Sequence, residues 1–313
     1  MSLISLICAL LLEQWRPLAE RRTLHSPMER YADFLERQFN AGEAQHGIIA
    51  WSLAVLPPVI GVWLIYLLCA HISPLLALAC NVGILYLTMG FRQFSHYFTD
   101  IHLALKDGQL DRARQLLGLW RGCSCVHMTE EEIARLAMEE ALAASHRNVF
   151  GVVFWFVMLP GPSGALLYRL AMFLRRRWGG GDPAQVLVAS VESSQFGHFA
   201  RDAFNILDWL PVRVTAAAFA VVGDFEDAVY CWRTQAAKWS DQALGIVLAA
   251  GAGAIGVRLG MPIAHDGDVE DRPVLGVGED ADVVLLDSLV GLVWRALVLH
   301  LLMLMLIGIV QAL

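Results

Sequence analysis

The chain has 313 residues, 57% of them hydrophobic and 17% charged, with a mean hydropathy of +0.53. Soluble domains carry roughly 45–50% apolar and about 25% charged residues, so the composition excludes an ordinary soluble domain and selects the membrane class. A net charge of −7 excludes the basic face that a nucleic-acid partner requires.

Residues 1–12 are apolar but too short to span a bilayer. They lack a basic flank and a small-residue cleavage site, so a retained segment is expected. In residues 13–46, Met28, Tyr31, Phe34, Leu35 and Phe39 recur at helical spacing and predict an amphipathic helix. Residues 47–70 read as a spanning helix kinked at Pro57-Pro58, and residues 75–91 return across the membrane. Residues 92–148 are polar and helical, with turn signals at Lys106-Asp107-Gly108 and Arg121-Gly122. Thr129 followed by Glu132 marks a capped helix start.

Residues 149–174 are apolar on both sides of Pro160-Gly161-Pro162-Ser163-Gly164, where two prolines and two glycines favour a turn. Arg175, Arg176 and Arg177 follow, then a glycine-rich connection. Beyond it come a mixed helix over 185–210, a short apolar run over 210–222 and an amphipathic stretch over 224–241. An Ala/Gly-rich run over 243–256 suits close helix packing. Residues 265–282 are acidic and loop-like, and residues 283–313 form a long apolar helix holding Arg295 and His300.

The expected fold is all-α, a polytopic membrane helix bundle forming a single membrane domain over 1–313. Its parts are an N-terminal segment with an amphipathic helix (1–46), a transmembrane hairpin (47–91), cytoplasmic helices (92–148), a broken or re-entrant hairpin (149–174), cytoplasmic and membrane-associated helices (175–282) and a C-terminal transmembrane helix (283–313). Positive charge on the cytoplasmic side places residues 13–46, residues 92–148 and the Arg triplet together. Residues 149–174 must then enter and leave on one side, which favours the re-entrant form over a single crossing. A multi-pass protein of a bacterial inner membrane is expected, with the lipid bilayer as partner, no nucleic acid, and a homo-oligomer as an open possibility.

Gly251, Gly253 and Gly256 match G-x-G-x-x-G, but no alternation of strands and helices surrounds them, so helix packing outweighs a dinucleotide site. Cys123, Cys125 and His127 fall short of the four ligands of structural zinc, and no metal site is expected. His96 and Asp100, four apart on one helix face, are candidates for binding a polar substrate or moving a proton. Glu139, Glu140, His146 and Arg147 precede the broken stretch and mark a second candidate group. Arg295 and His300 are ionisable residues inside an apolar run.

Three stretches resemble the CobD/CbiB family of cobalamin-biosynthesis membrane proteins and the related AmpE proteins. They are the helical segment over 92–156, Leu207-Asp208-Trp209-Leu210-Pro211-Val212-Arg213, and the run from Gly253 through Arg258 and Gly260 to Pro262 with Arg272-Pro273 and Gly276 downstream. The resemblance implies an amide-forming ligase that condenses an aminopropanol derivative with adenosylcobyric acid, using Mg²⁺ and ATP. It adds Asp208, Arg213 and Arg272 to the candidate site residues. The family's acidic motif E-x-x-x-E-N-T-x-D-G corresponds here to Leu142, His146, Arg147, Asn148, Val149, Phe150 and Gly151. Carboxylates that would hold Mg²⁺ are thus replaced, and the implied chemistry is altered or lost in favour of ligand binding or signalling. A corrinoid or a cell-wall-derived molecule is the implied ligand. Mg²⁺ and ATP belong only to the enzymatic alternative, and no catalytic residue is assigned.

Overall fold

The computed structural model describes residues 2–15, 22–40, 44–122, 124–179, 195–265 and 268–312. The fold is an all-α membrane bundle. Among the described residues, four helices are long and apolar enough to cross a membrane: Gln45–Ile72, Glu130–Met158, Phe196–Val222 and Val283–Val310. The chain divides into two units.

The first unit comprises Met1–Arg92, Gly151–Asp182 and Val186–Asp208. The N-terminal segment forms α1 (Ser2–Trp15), which packs on α4 (Pro74–Thr88). The amphipathic helix α2 (Arg22–Phe39) lies against the spanning helix α3 (Ala44–Ile72). Ser73 caps α4 by accepting the Leu75 N–H, and Pro74 occupies the first helical position, where its missing N–H is harmless.

Pro57 lies inside α3 and has no N–H for the Leu53 carbonyl one turn back. The Tyr31 hydroxyl on α2 donates to that carbonyl instead, at 3.0 Å. The freed carbonyl is therefore satisfied by a neighbouring helix, as a proline in a membrane helix requires. Leu35, Ala54, Leu174, Trp178 and Phe196 bury themselves together in this unit.

The broken apolar stretch turns back on itself. Helix α8 (Gly151–Met158) ends at a turn over residues 159–162, and α9 (Ser163–Trp178) returns against it. The Ser163 hydroxyl donates to the Pro160 carbonyl at 2.9 Å and closes the turn. A Cβ at Gly164 would overlap the Trp155 carbonyl, so a glycine allows the two helices to approach this closely.

The second unit comprises Gln93–Phe150, Pro183–Gln185 and Trp209–Leu313. Helices α5 (Phe91–Lys106) and α6 (Leu110–Arg121) precede α7 (Glu130–Ser145). Thr129 and Glu132 form a capping box: the Thr129 Oγ1 accepts the Glu132 N–H, and the Glu132 carboxylate accepts the Thr129 N–H at 2.8 Å. A π-helical turn over His146–Phe150 joins α7 to the start of α8, so one helix runs from Glu130 to Met158. Such a turn inserts one extra residue and is frequent at functional sites.

Residues 195–222 depart from the expected division at residue 210. They form one continuous helix, α10 (Gln195–Val222), with Pro211 inside it. Pro211 frees the Leu207 carbonyl, which accepts the Trp155 Nε1–H at 3.1 Å, so the helix continues past the proline without a lost partner. Residues 185–194 of the expected mixed helix lie outside the described residues.

Helix α11 (Phe225–Thr234) is capped by Asp224, and α12 (Gln242–Ile255) by Asp241, whose carboxylate accepts the N–H groups of Ala243 and Leu244. The stretch expected as a loop contains short strands. Strand β1 (Val257–Arg258) pairs in parallel with β4 (Glu279–Asp280), and β2 (Ile263–His265) pairs antiparallel with β3 (Asp268–Glu270). Helix α13 (Val283–Ala312) closes the chain.

Candidate functional site

Helix α7 is the wall on which the site is built. Beyond its first turn it is buried except at Glu140, so the buried charged groups it carries must find partners from neighbouring elements. Glu139 lies two turns beyond Glu132, and the loops that follow α12 close over it. Its Oε1 accepts the Gly260 N–H at 2.9 Å and the Arg272 Nη2–H at 2.6 Å. Arg272 also donates to the Gly260 carbonyl at 3.1 Å and to the Met261 carbonyl at 3.3 Å, and its guanidinium lies 5.1 Å from the Trp239 ring centre. Both members of the ion pair are buried, which is where a planar, always-charged Arg is preferred over Lys.

The backbone around this pair is specialised. Gly260 has φ +76, and a Cβ there would overlap the Pro273 carbonyl. Met261 follows with φ +68, the one non-glycine residue with positive φ among the described residues. Side-chain-bearing residues held in this region store about 1–3 kcal/mol of strain and cluster at ligand clamps.

Arg135 lies one helical turn before Glu139 and is also buried. Among the described residues its Nη1 contacts the Met261 Sδ at 3.3 Å, and its Nε has no hydrogen-bond partner. A thioether is a weak acceptor and carries no charge. Among the described residues no carboxylate is in ion-pair contact with this guanidinium, a costly arrangement for a buried cation.

Farther along the same helix, the His146 Nδ1 is 2.9 Å from the Thr215 Oγ1 on α10, and the Arg147 Nη2 is 3.8 Å from the Asp241 carboxylate. Phe150 stacks on His300 of α13 at 5.0 Å. These three residues stand where the resemblance places acidic and amide groups. The donor set offered there is an imidazole, a guanidinium and a phenyl ring, which does not fit Mg²⁺. Among the described residues no group of three or more His, Cys, Asp and Glu side chains is spaced to hold a metal ion.

The structure thus brings Glu139 and Arg272 into contact and leaves the other predicted residues in different settings. His96 and Asp100 are exposed on α5 and take no part in the Glu139–Arg272 contacts. Asp208 belongs to the first unit, where it is buried and accepts the Tyr168 hydroxyl proton at 2.8 Å. Arg213 stacks on Trp209 at 4.0 Å and donates to the Trp209 carbonyl one turn back.

Of the glycines in the G-x-G-x-x-G match, Gly251 and Gly253 lie on α12 and serve packing, and Gly256 caps its end with φ +69. Gly251 abuts the Leu142 side chain, and Gly253 abuts the Asp227 carbonyl. Cys125 is buried and His127 exposed, while Cys123 lies outside the described residues. Cys231, on α11, is fully buried, and burial followed by the charge of Asp227 pushes its thiol up to about 11. Arg295 is exposed and donates to the Gly291 carbonyl.

Arg135 and Met261 were missed as site residues. The spacing of Arg135 and Glu139, four apart, was visible, but it resembles any solvated helix pair until burial is known. Met261 gave no sequence signal beyond following a glycine.

Comparison with known proteins identifies the scaffold. The family model described as CobD/Cbib protein matches residues 6–293. A protein of Stutzerimonas stutzeri named "Cobalamin biosynthesis protein CobD" is 33% identical over 308 residues, covering 96% of each chain. A Chromobacterium violaceum protein of the same name is 34% identical over 232 residues, covering 74% of this chain and 70% of the relative. A Photorhabdus laumondii protein, again so named, is 26% identical over 264 residues. No solved structure matches the chain. A match that runs through both units and across the Glu139, Gly260 and Arg272 segments shows that this chain belongs to the CobD/CbiB family.

Proposed function

We propose that this chain is a multi-pass protein of a bacterial inner membrane that keeps the scaffold of a cobalamin-biosynthesis family but binds an anionic ligand without the family's synthase chemistry. The single observation that carries this is Arg135, a buried guanidinium whose contact is a thioether, next to a satisfied Glu139–Arg272 pair. An anion fitting against Arg135 neutralises the cation and exploits the strained Met261 turn. A corrinoid bearing a carboxylate, or a carboxylate-bearing cell-wall fragment, has the required chemistry. The protein then acts by binding or signalling in the bilayer.

The second reading is the enzyme that condenses an aminopropanol derivative with adenosylcobyric acid, with Mg²⁺ and ATP. The names of the relatives favour it, while the groups at His146, Arg147 and Phe150 do not supply its carboxylates.

Deletion of the gene in a strain that carries the rest of the cobalamin pathway, and no second copy, separates the two. On the binding reading, de novo cobalamin is unchanged. Loss of cobalamin, restored by the wild-type gene, would sink it. Binding of cobyric acid and of an anhydromuropeptide to the purified protein then identifies the ligand. Arg135→Met should weaken that binding by about ten-fold or more, the loss of one charge-assisted hydrogen bond.

A further inference from the structure

Arg295 is a cation within the apolar helix that closes the chain. Only 17% of the apolar window of α13 is buried, so most of its surface faces lipid. A charged side chain on such a face is expensive at the bilayer centre and is tolerated where it reaches the headgroups. The length of the helix sets the depth of this one. The span Val283–Val310 has 28 residues, about 42 Å of helix against about 30 Å of hydrocarbon. Asp287 puts the excess at the start of α13, because its exposed carboxylate, 3.7 Å from the His102 Nδ1, belongs outside the hydrocarbon.

The Arg295 side chain turns back toward that end. Its Nε donates to the Gly291 carbonyl at 3.1 Å, one turn earlier. From Gly291 to Val310 is about 28 Å of helix, close to one hydrocarbon thickness. The guanidinium therefore stands at the boundary between hydrocarbon and headgroups. Trp294, half-exposed beside it, is of the residue type that anchors this layer. Among the described residues no carboxylate is in ion-pair contact with Arg295, and its Nη1 and Nη2 donors have no protein acceptor. On the hydrocarbon side of it, Val298, Leu302, Leu306 and Ile309 follow at spacings of three and four, each about half exposed. A cation at headgroup level thus heads an apolar stripe on one helix face.

We propose that this face of α13 binds an anionic phospholipid, with its phosphate on Arg295 and an acyl chain along the stripe. A guanidinium presents two donors to two phosphate oxygens at once. A zwitterionic lipid brings its own cation to that phosphate and competes less well. A free phosphate has no chain to lay on the stripe. A two-fold partner meeting the same face would set Arg295 against its own copy, like charge against like charge. The site is independent of the anion pocket around Arg135, and either can fail without the other.

The test releases the full-length protein from nanodiscs holding equal amounts of phosphatidylglycerol and phosphatidylcholine, and native mass spectrometry counts the lipid retained. Wild type should prefer phosphatidylglycerol by about five-fold, the worth of one basic side chain at an anionic surface. Arg295→Leu should retain one phosphatidylglycerol fewer and lose that factor, with the mass of the assembly unchanged. Arg295→Gln repeats the measurement if the Leu variant does not fold. Inorganic phosphate in large excess should leave the lipid in place. Equal retention of the two lipids by wild type overturns the proposal, as does a preference that survives substitution of Arg295. Displacement by inorganic phosphate also overturns it, by making Arg295 a plain anion site. So does a dimer that Arg295→Leu dissolves, which gives the face to a second copy of the chain.

Discussion

Two long apolar helices of this protein sit at opposite extremes of burial. Only 11% of the apolar window of α3 is buried, against 72% for the helix from Glu130 to Met158. Their window hydropathies differ in the same sense, 2.3 against 1.3. A helix facing lipid has no polar neighbours to call on and must be apolar on all sides. A helix enclosed by protein can carry Glu139, His146 and Arg147, because neighbouring elements meet them. Hydropathy therefore finds the membrane-facing helices most easily, while the buried charged side chains sit on a helix it ranks low.

The largest expected effect comes from the enclosed helix. Arg272→Ala leaves the Glu139 carboxylate buried and unpaired, which should cost about 3–5 kcal/mol. Thermal unfolding of the purified protein measures it. The double variant Glu139→Gln with Arg272→Met should recover much of the loss, because both charges leave together. A single-variant loss below about 1 kcal/mol, the range of solvent-exposed pairs, would mean that water reaches the pair and that α7 is less enclosed than described.

Leu142→Ala comes next. Leu142 is fully buried on α7 and packs on Gly251 of α12, so truncation should leave a cavity and cost about 2–5 kcal/mol. A cost near zero in the same unfolding assay would show that α7 and α12 relax together.

How far the sequence foretold these features depends on what each one rests on. Composition and long apolar runs were enough for α3 and α13, since length and hydropathy are local quantities. The Thr129–Glu132 capping box was legible for the same reason, lying within four residues. The α8–α9 turn was legible from Pro160 to Gly164, where the chain has little choice. The continuity of α10 was not, because the change from mixed to apolar composition at residue 210 reads as a boundary, and the partner of the carbonyl that Pro211 frees is Trp155 on α8, 52 residues from Leu207. The Glu139–Arg272 pair spans 133 residues. Each partner was singled out, Glu139 by its place before the hairpin and Arg272 by resemblance, but no local pattern joins them. His96 and Asp100 shared a helix face, and spacing alone made them look alike a site. The structure leaves both exposed, a fact that no spacing reveals.

A smaller effect is expected on the lipid-facing side of the comparison. Tyr31→Phe removes the donor that covers the Leu53 carbonyl freed by Pro57. The ring stays and the hydroxyl goes, so the cost is that of one hydrogen bond, about 0.5–1.5 kcal/mol. Pro57→Ala restores the N–H in the helix and makes the hydroxyl redundant. The double variant Tyr31→Phe with Pro57→Ala should therefore lose less than the sum of the two single changes. Additive losses would show that the Tyr31 hydroxyl and Pro57 are uncoupled.

The smallest effect is the sharpest check on the contrast itself. Leu68→Ala on α3 makes the same chemical change as Leu142→Ala, but Leu68 is 61% exposed and packs on little of the protein. In detergent its side chain meets an apolar solvent in both the folded and the unfolded state, so little transfer energy is lost. The unfolding free energy should change by less than about 0.5 kcal/mol, as for substitutions outside a packed core. A loss that rivals Leu142→Ala would mean that the outer face of α3 is covered by protein. That cover would have to come from a second copy of the chain, and the concentration dependence of unfolding would reveal it, because an associating protein gains stability by mass action. Independence from concentration, with a small loss, keeps α3 as a lipid-facing helix and leaves the polar chemistry to the enclosed one.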